Sequence, residues 1–386
     1  MPKFRFTEIA INSTEKKKPV EEDKFTYIGL EHLDSGTLTV SRWGSDIAPI
    51  GEKLVMKKGD VLFGKRRAYQ KKVGIAPFDG IFSAHGMVLR PREEVITKEY
   101  FPLFISSDYF LNEAIRISVG SLSPTVNWKD LKDLEFTIPS IEEQKRITPL
   151  IWAAIEAKNA YKEQIRCTDD LVKSQFIEMF GDTVSEIQKY DTVPLDEVFD
   201  KPQGGEWGTD DDAGTGTPVL RTTNFTDGGY VDYSDVATRI IDAKKVEKKA
   251  LLSGDILIEK SGGSNDKPVG RVVFFEGESG KYLNNNFTAR LHLNGRYNLG
   301  KLYTFFFMFV NYWADGTRLY EGKTTGIHNL HLTEYLQNTR IPLAPVDAQE
   351  RFEQFARQSD KSKFELQQAI EKVDNLIKSL IQQYNN

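Results

Sequence analysis

A long amphipathic segment is written twice in this chain, and the two copies keep one register from beginning to end. The first opens Ile138-Pro139, continues Glu142-Glu143-Gln144-Lys145-Arg146, and ends near Leu171-Val172-Lys173-Ser174; the second opens Ile341-Pro342, continues Asp347-Ala348-Gln349-Glu350-Arg351, and ends near Leu376-Ile377-Lys378-Ser379. Gln144 and Gln349 lie 205 positions apart, as do Lys173 and Lys378. A four-three spacing selects Ile151, Tyr161, Ile165 and Val172 in the first copy and Ala356, Leu366, Ile370 and Ile377 in the second. Apolar residues about every 3.5 positions describe a helix that buries one narrow stripe against another helix. About 38 helical residues at about 1.5 Å each make a rod of about 57 Å. Lys158 and Lys363 interrupt the two stripes at matching places, which weakens the seam there and fixes its register. One such helix alone would suit core packing or homodimerisation; two in-phase copies favour an internal pair.

At 386 residues the chain has room for two or three domains, each able to bury its own core. The single cysteine, Cys167, excludes an internal disulfide and a cysteine zinc cage, so a reducing cytoplasm is expected. No basic-then-apolar leader opens the sequence, and no apolar run of about 20 residues is present, so no membrane association is expected. The net charge of −5 argues against indiscriminate wrapping of nucleic acid; any binding must use local patches.

Residues 1–139 read as a mixed α/β domain, with apolar runs at Phe25–Leu30, Asp60–Phe63 and Met87–Leu89 separated by Gly and Asp turns. A single helix is predicted over Tyr100–Ser118, followed by the small polar loop Gly120–Asn127. Between the second and third runs lies a basic, aromatic loop: Lys65, Arg66, Arg67, Tyr69, Gln70, Lys71 and Lys72. Cations there supply phosphate anchors, and Arg and Gln can read base edges; a solvated hairpin tip is the plainer reading. Residues 181–342 repeat the plan loosely. Gly254-Asp255-Ile256-Leu257 echoes Gly59-Asp60-Val61-Leu62 at an offset of 195. Polar groups replace the basic loop: Lys260, Ser261 and Asn265, with Arg221 and Asn224 upstream. A buried helix is expected near Leu302–Tyr312, then a Gly/Thr loop carrying Lys323, Thr324, His328 and Asn329. The fold class is therefore α+β: two mixed α/β domains separated by two long helices forming an antiparallel coiled coil. The boundaries fall at 1–139, 140–180, 181–342 and 343–386. Pro149 should kink the first helix, or begin a new helix capped by Thr148.

Catalytic readings fail on spacing. Gly316 and Gly322-Lys323-Thr324 hold five residues between the glycines where a phosphate-binding loop needs four. His328 and His331 have no following carboxylate or thiol at zinc spacing. No Asn/Asp-Pro-Pro-aromatic tetrapeptide is present to hold a flipped adenine. No catalytic residue, bound cofactor or metal site is expected in the chain.

Together these features resemble the specificity subunit of type I restriction–modification enzymes. The resemblance rests on the two helical copies with Ile138-Pro139, Gln144, Gln349 and Arg351, on Lys173–Gly181, and on Gly80–Gly86. It implies two target-recognition domains set apart by an antiparallel helix pair, each reading half of a split DNA sequence in the major groove. It also implies two methyltransferase subunits with S-adenosylmethionine, and two restriction-translocase subunits with ATP and Mg. The helix length caps the reach at about 17 base pairs of 3.4 Å, so half-sites about one turn apart are expected. On this reading Lys65, Arg66, Arg67, Tyr69, Gln70 and Lys71 meet DNA from the first domain. Arg221, Asn224, Lys260, Ser261, Asn265, Lys323, Thr324, His328 and Asn329 do so from the second. The competing reading is an adaptor that joins other proteins and binds no DNA.

Overall fold

The computed structural model describes residues 2–184, 189–264, 267–324 and 327–383, with backbone alone at 323, 324, 382 and 383. The chain divides into two compact units, residues 1–162 with 367–386, and residues 163–366. The division runs through the two long helices, so each unit takes a portion of both.

In the first unit, the run Val61–Phe63 is buried throughout because the strand is covered on both faces. Successive side chains of a strand point to opposite faces. Val61 and Phe63 accordingly join the core under the helices, and Leu62 joins a separate core with Ile28, Met56 and Phe82. The strand lies in an antiparallel sheet ordered Ala10–Ser13, Met87–Pro91, Val61–Phe63, Val73–Ile75. A second sheet, ordered Lys16–Lys17, Lys53–Met56, Gly80–Phe82, Tyr27–Ile28, ends in a parallel pair. The helix predicted over Tyr100–Ser118 is two helices, Phe101–Ser106 and Asp108–Arg116. Ser107 separates them: its backbone is extended, and its hydroxyl accepts from Phe110 N, which caps the second.

The second unit repeats the first sheet. Its order is Gln203–Gly204, Thr288–Leu291, Ile256–Glu259, Val272–Phe274, and every pairing is antiparallel. Ile256 and Ile258 face one core and Leu257 another, the same alternation. Asp60 and Asp255 occupy equivalent turns after Gly59 and Gly254, whose φ values are +91° and +92°. Asp60 accepts two hydrogen bonds from Arg90 (2.7 and 2.8 Å), whereas Asp255 contacts His292 at 2.5 Å. The buried helix expected near Leu302–Tyr312 spans Lys301–Trp313. The Gly/Thr loop differs from expectation: Glu321–Thr324 and Ile327–Leu330 pair as an antiparallel hairpin.

The first long helix spans Ile141–Phe180 without interruption at Pro149, so no second helix starts there. It starts where Ser140 and Glu143 form a reciprocal cap: Ser140 Oγ accepts from Glu143 N, and Glu143 Oε2 accepts from Ser140 N at 3.0 Å. The second long helix spans Val346–Gln383. Within the second unit the two run antiparallel. Asp169 meets Lys363 at 2.8 Å, while further along the first helix Phe176 and Phe180 pack on Phe352, earlier in the second. In the first unit the equivalent pair, Lys158 and Asp374, closes at 2.6 Å. Each seam lysine is thus answered by an aspartate of the opposite helix. Burial lowers the Lys363 pKa, but Asp360 and Asp169 outweigh it and hold it above the ordinary lysine value. The eight predicted stripe residues are all buried or half-buried, and the off-stripe Leu171 and Leu376 are exposed.

Two glutamines tie the long helices to the globular parts. Gln144 is fully buried; its carbonyl accepts from Thr97 N (2.7 Å), and its amide donates to Val95 O and Pro139 O (both 2.9 Å). Gln349 does the same in the second unit, with Gly300 N (2.7 Å), Asn298 O (3.0 Å) and Ala344 O (2.8 Å). Leucine fits the volume but satisfies none of these groups. Gln144→Leu should therefore lower stability by about 3–5 kcal/mol, read as a fall in the urea midpoint of the full chain; a loss below about 1 kcal/mol would show that water replaces the amide.

Candidate nucleic-acid interface

The basic loop of the first unit joins Val61–Phe63 to Val73–Ile75 and is not a free tip. Arg67 N donates to Pro124 O (2.7 Å), Val126 N to Lys65 O (2.9 Å), and Arg66 N to His85 O (3.2 Å). Arg66 and Thr125 form an isolated antiparallel bridge, and Val119 and Thr125 close the neighbouring loop with two backbone bonds. Two sequence-distant loops, 64–72 and 119–126, are thereby bound into one surface with His85.

Arg67 and Lys71 take left-handed backbone conformations, φ +55° and +50°, on either side of a single turn over Ala68–Gln70. Side chains other than glycine rarely pay this steric penalty, and such strain gathers at functional loops. The consequence here is geometric: Arg66, Arg67 and Tyr69 are presented outward. Lys71 is tied to Asp108 at 2.6 Å, and Lys72 donates to Leu30 O at 2.7 Å, so these two brace the loop. Arg67 Nε reaches Ser123 Oγ at 3.4 Å. Gln70 is half-buried.

The surface is electropositive. Burial, and then the nearby Lys16, push the Lys65 ammonium below the ordinary lysine pKa. His85 is lowered by burial and by Arg66, Lys65 and Lys53, which leaves its ring neutral near pH 7. Lys65 makes no ion pair among the described residues, although Lys16 has Glu52 at 3.6 Å.

The second unit builds the same junction with other side chains. Gly262 N donates to His328 O (3.1 Å), Leu330 N to Lys260 O (2.8 Å), and Ser261 N to Phe287 O (3.3 Å). Ser261 and Asn329 form the isolated bridge. Relative to the first unit, the leading strand is offset by 195 and the bridging strand by 204. Ser261 Oγ donates to Asn329 Oδ1 at 2.5 Å. Lys260 is also lowered by burial and then by a lysine, Lys249.

The remaining candidates fall elsewhere. His328 is buried, with Nδ1 3.1 Å from Glu321 Oε2, and supports the junction from beneath. Arg221 and Asn224 share a separate turn: Arg221 pairs with Asp235 at 3.0 Å, and the buried Asn224 side chain donates to Asp232 O and Asp235 O. Lys323 and Thr324 lie in the strand Glu321–Thr324, and Asn265 lies outside the described residues. The sequence places Thr125 in the polar loop Gly120–Asn127, able to approach a nucleic-acid backbone, without singling it out, and His85 is absent from the candidate set. The offset of 195 that matches Gly59 with Gly254 continues to Lys65 and Lys260, both among the candidates, but it does not reach the bridging strand, whose offset is 204. Among the described residues no cluster of His, Cys, Asp and Glu could hold a metal ion, and no helix is long and apolar enough to cross a membrane.

Residues 6–166 match the family model of the type I restriction modification DNA specificity domain. The type I restriction enzyme EcoDI specificity subunit of Escherichia coli is 25% identical over 146 residues, which cover 37% of this chain and 32% of that protein. The match thus spans about a third of the curated relative's length. A solved chain described for complex assembly and conformational transition of the type I R-M system aligns over 99% of this chain and 97% of its own length, at 20% identity and a TM-score of 0.55. A type I restriction–modification S subunit from M. genitalium aligns over 98% and 95%, at 14% identity and a TM-score of 0.49.

Replacing Arg67 by glycine separates the loop's strain from its charge. Arg67→Gly should leave thermal stability unchanged or raise it by up to about 1 kcal/mol while weakening binding to duplex DNA. A drop in both would mean that the Arg67 side chain holds the loop together.

Proposed function

We propose that this chain, a member of the type I restriction modification DNA specificity family through its residues 6–166, is the non-catalytic recognition subunit of such an enzyme. Each unit reads one part of a split, asymmetric DNA sequence through its bridged junction. Two methyltransferase subunits with S-adenosylmethionine modify adenine in each half, and two restriction-translocase subunits using ATP and Mg complete the nuclease. All of these components work in the cytoplasm. The long helices are the spacer that separates the recognition domains, 1–139 and 181–342. The observation that carries the reading is the junction built twice on one backbone pattern with unlike side chains: Arg66 and Thr125 in one unit, Ser261 and Asn329 in the other. A pair of similar frames with different side chains is what two unlike half-sites require.

In the first unit Arg66, Arg67 and Tyr69 face the duplex, with Gln70 beside them and Lys71 bracing the loop. In the second, Lys260, Ser261 and Asn329 do so, while Asn224 and His328 hold turns in place. The strand that carries Lys323 and Thr324 pairs with the strand of Asn329, and Arg221 sits in a turn apart from this junction. Arg66→Ala with Arg67→Ala should remove two cationic contacts and weaken DNA binding by the assembled complex about tenfold or more at physiological salt. Footprinting of the chain with its methyltransferase subunits should protect two separated sequence elements. Protection of no sequence, with unchanged affinity in the double variant, would support a protein-joining adaptor instead.

A further inference from the structure

Lys65 and Lys260 stand at the same place in their units. Each follows the central strand of the first sheet. Each has a carbonyl that accepts from the bridging strand, from Val126 N and Leu330 N, and each precedes the bridged residue, Arg66 or Ser261. Both side chains are half-buried. Neither makes an ion pair among the described residues, and the charge that adds to burial in lowering the pKa of each is another lysine, Lys16 or Lys249. Lys249 already has Glu206 at 2.7 Å, and Lys16 has Glu52 at 3.6 Å.

A half-buried ammonium repelled by a like charge weakens the free fold. The lowered pKa of each has the same sign: the charged form is disfavoured in the fold, and that cost falls away as pH rises from the folded pKa to the ordinary lysine value. An arrangement of this kind kept at two equivalent positions calls for an anion to complete it. The positions just beyond carry no such constancy. Arginine faces threonine in one bridge, and serine is hydrogen-bonded to asparagine in the other.

We propose that Lys65 and Lys260 are one phosphate anchor used twice, and that the bridged pair beside each, Arg66 with Thr125 and Ser261 with Asn329, determines which bases that unit accepts. The inference rests on the reading of the chain as a DNA recognition subunit and divides its labour: the lysine fixes register on the backbone, and the bridged pair reads. Arginine at 66 suits the acceptors of guanine. The Asn329 amide, with its carbonyl oriented by Ser261 Oγ, suits the donor–acceptor edge of adenine.

The test uses the full chain assembled with its methyltransferase subunits. Binding is measured by fluorescence anisotropy, over a salt series, to a duplex carrying the methylated sequence and to a scrambled duplex of equal length. Lys65→Gln and Lys260→Gln should each weaken both duplexes about fivefold and reduce the slope of log K against log salt by about 1, without changing the sequence methylated. Lys65→Arg should restore the slope. The thermal midpoint of the free chain should stay level or rise in both glutamine variants, where a merely structural lysine would lower it. Transplanting the second pair into the first unit, Arg66→Ser with Thr125→Asn, should change the sequence methylated at one half-site only. Unchanged salt slopes, or lysine variants that alter the sequence methylated, would overturn the anchor; a transplant with the original sequence preference would overturn the reading pair. If the unaltered complex binds the two duplexes equally and methylates nothing, the recognition reading itself fails, and this inference falls with it.

Discussion

Each long helix leaves its globular body through a buried glutamine, set beside apolar residues such as Ile147 and Phe352 that enter the same core, and the orientation of the helix depends on that attachment. A buried amide can make hydrogen bonds in only a few directions, so a fully satisfied one fixes the helix in rotation as well as position. Gln144 and Gln349 each take one backbone N–H and two carbonyls in the same pattern. The stripe on each helix then faces its partner because the glutamine one turn before Ile147 or Phe352 cannot turn away. Apolar packing alone would tolerate slippage; the amide does not.

The second constraint is polar as well. Lys158 with Asp374 and Lys363 with Asp169 place a charge pair in an otherwise apolar stripe. Such a pair contributes little net stability, because desolvation offsets most of the attraction. Its effect is on register: sliding one helix by a turn would leave a lysine against apolar neighbours. The same residues at an offset of 205 make the antiparallel pairing self-consistent, since each copy supplies both the lysine and the aspartate.

Much of this was legible in the sequence because it is periodic. The two helices and their stripes follow from spacing, and the burial of Leu302–Tyr312 follows from its apolar run. The repeated Gly-Asp turn revealed that the globular parts share a frame. What stayed hidden depends on contacts between distant segments. The hairpin at Glu321–Leu330 reads as a loop because its Gly and Thr residues suit either, and pairing decided it. Ser107 splits a helix that periodicity joins, since its hydroxyl is a better cap than its backbone is a helical residue. Asn224 and His328 look like exposed recognition groups by composition, yet burial and local hydrogen bonds use them as supports. His85 escaped notice because it lies far in sequence from the basic loop it adjoins.

The central claim is that one chain reads two unlike DNA elements, one with each unit. Methylome sequencing of a host with and without the chain tests it most directly. The expected result is a single methylated motif made of two defined elements separated by a fixed length of unspecified bases, present only when the chain is present. Loss of no motif on its removal, or a motif that is one continuous palindrome, would contradict the claim.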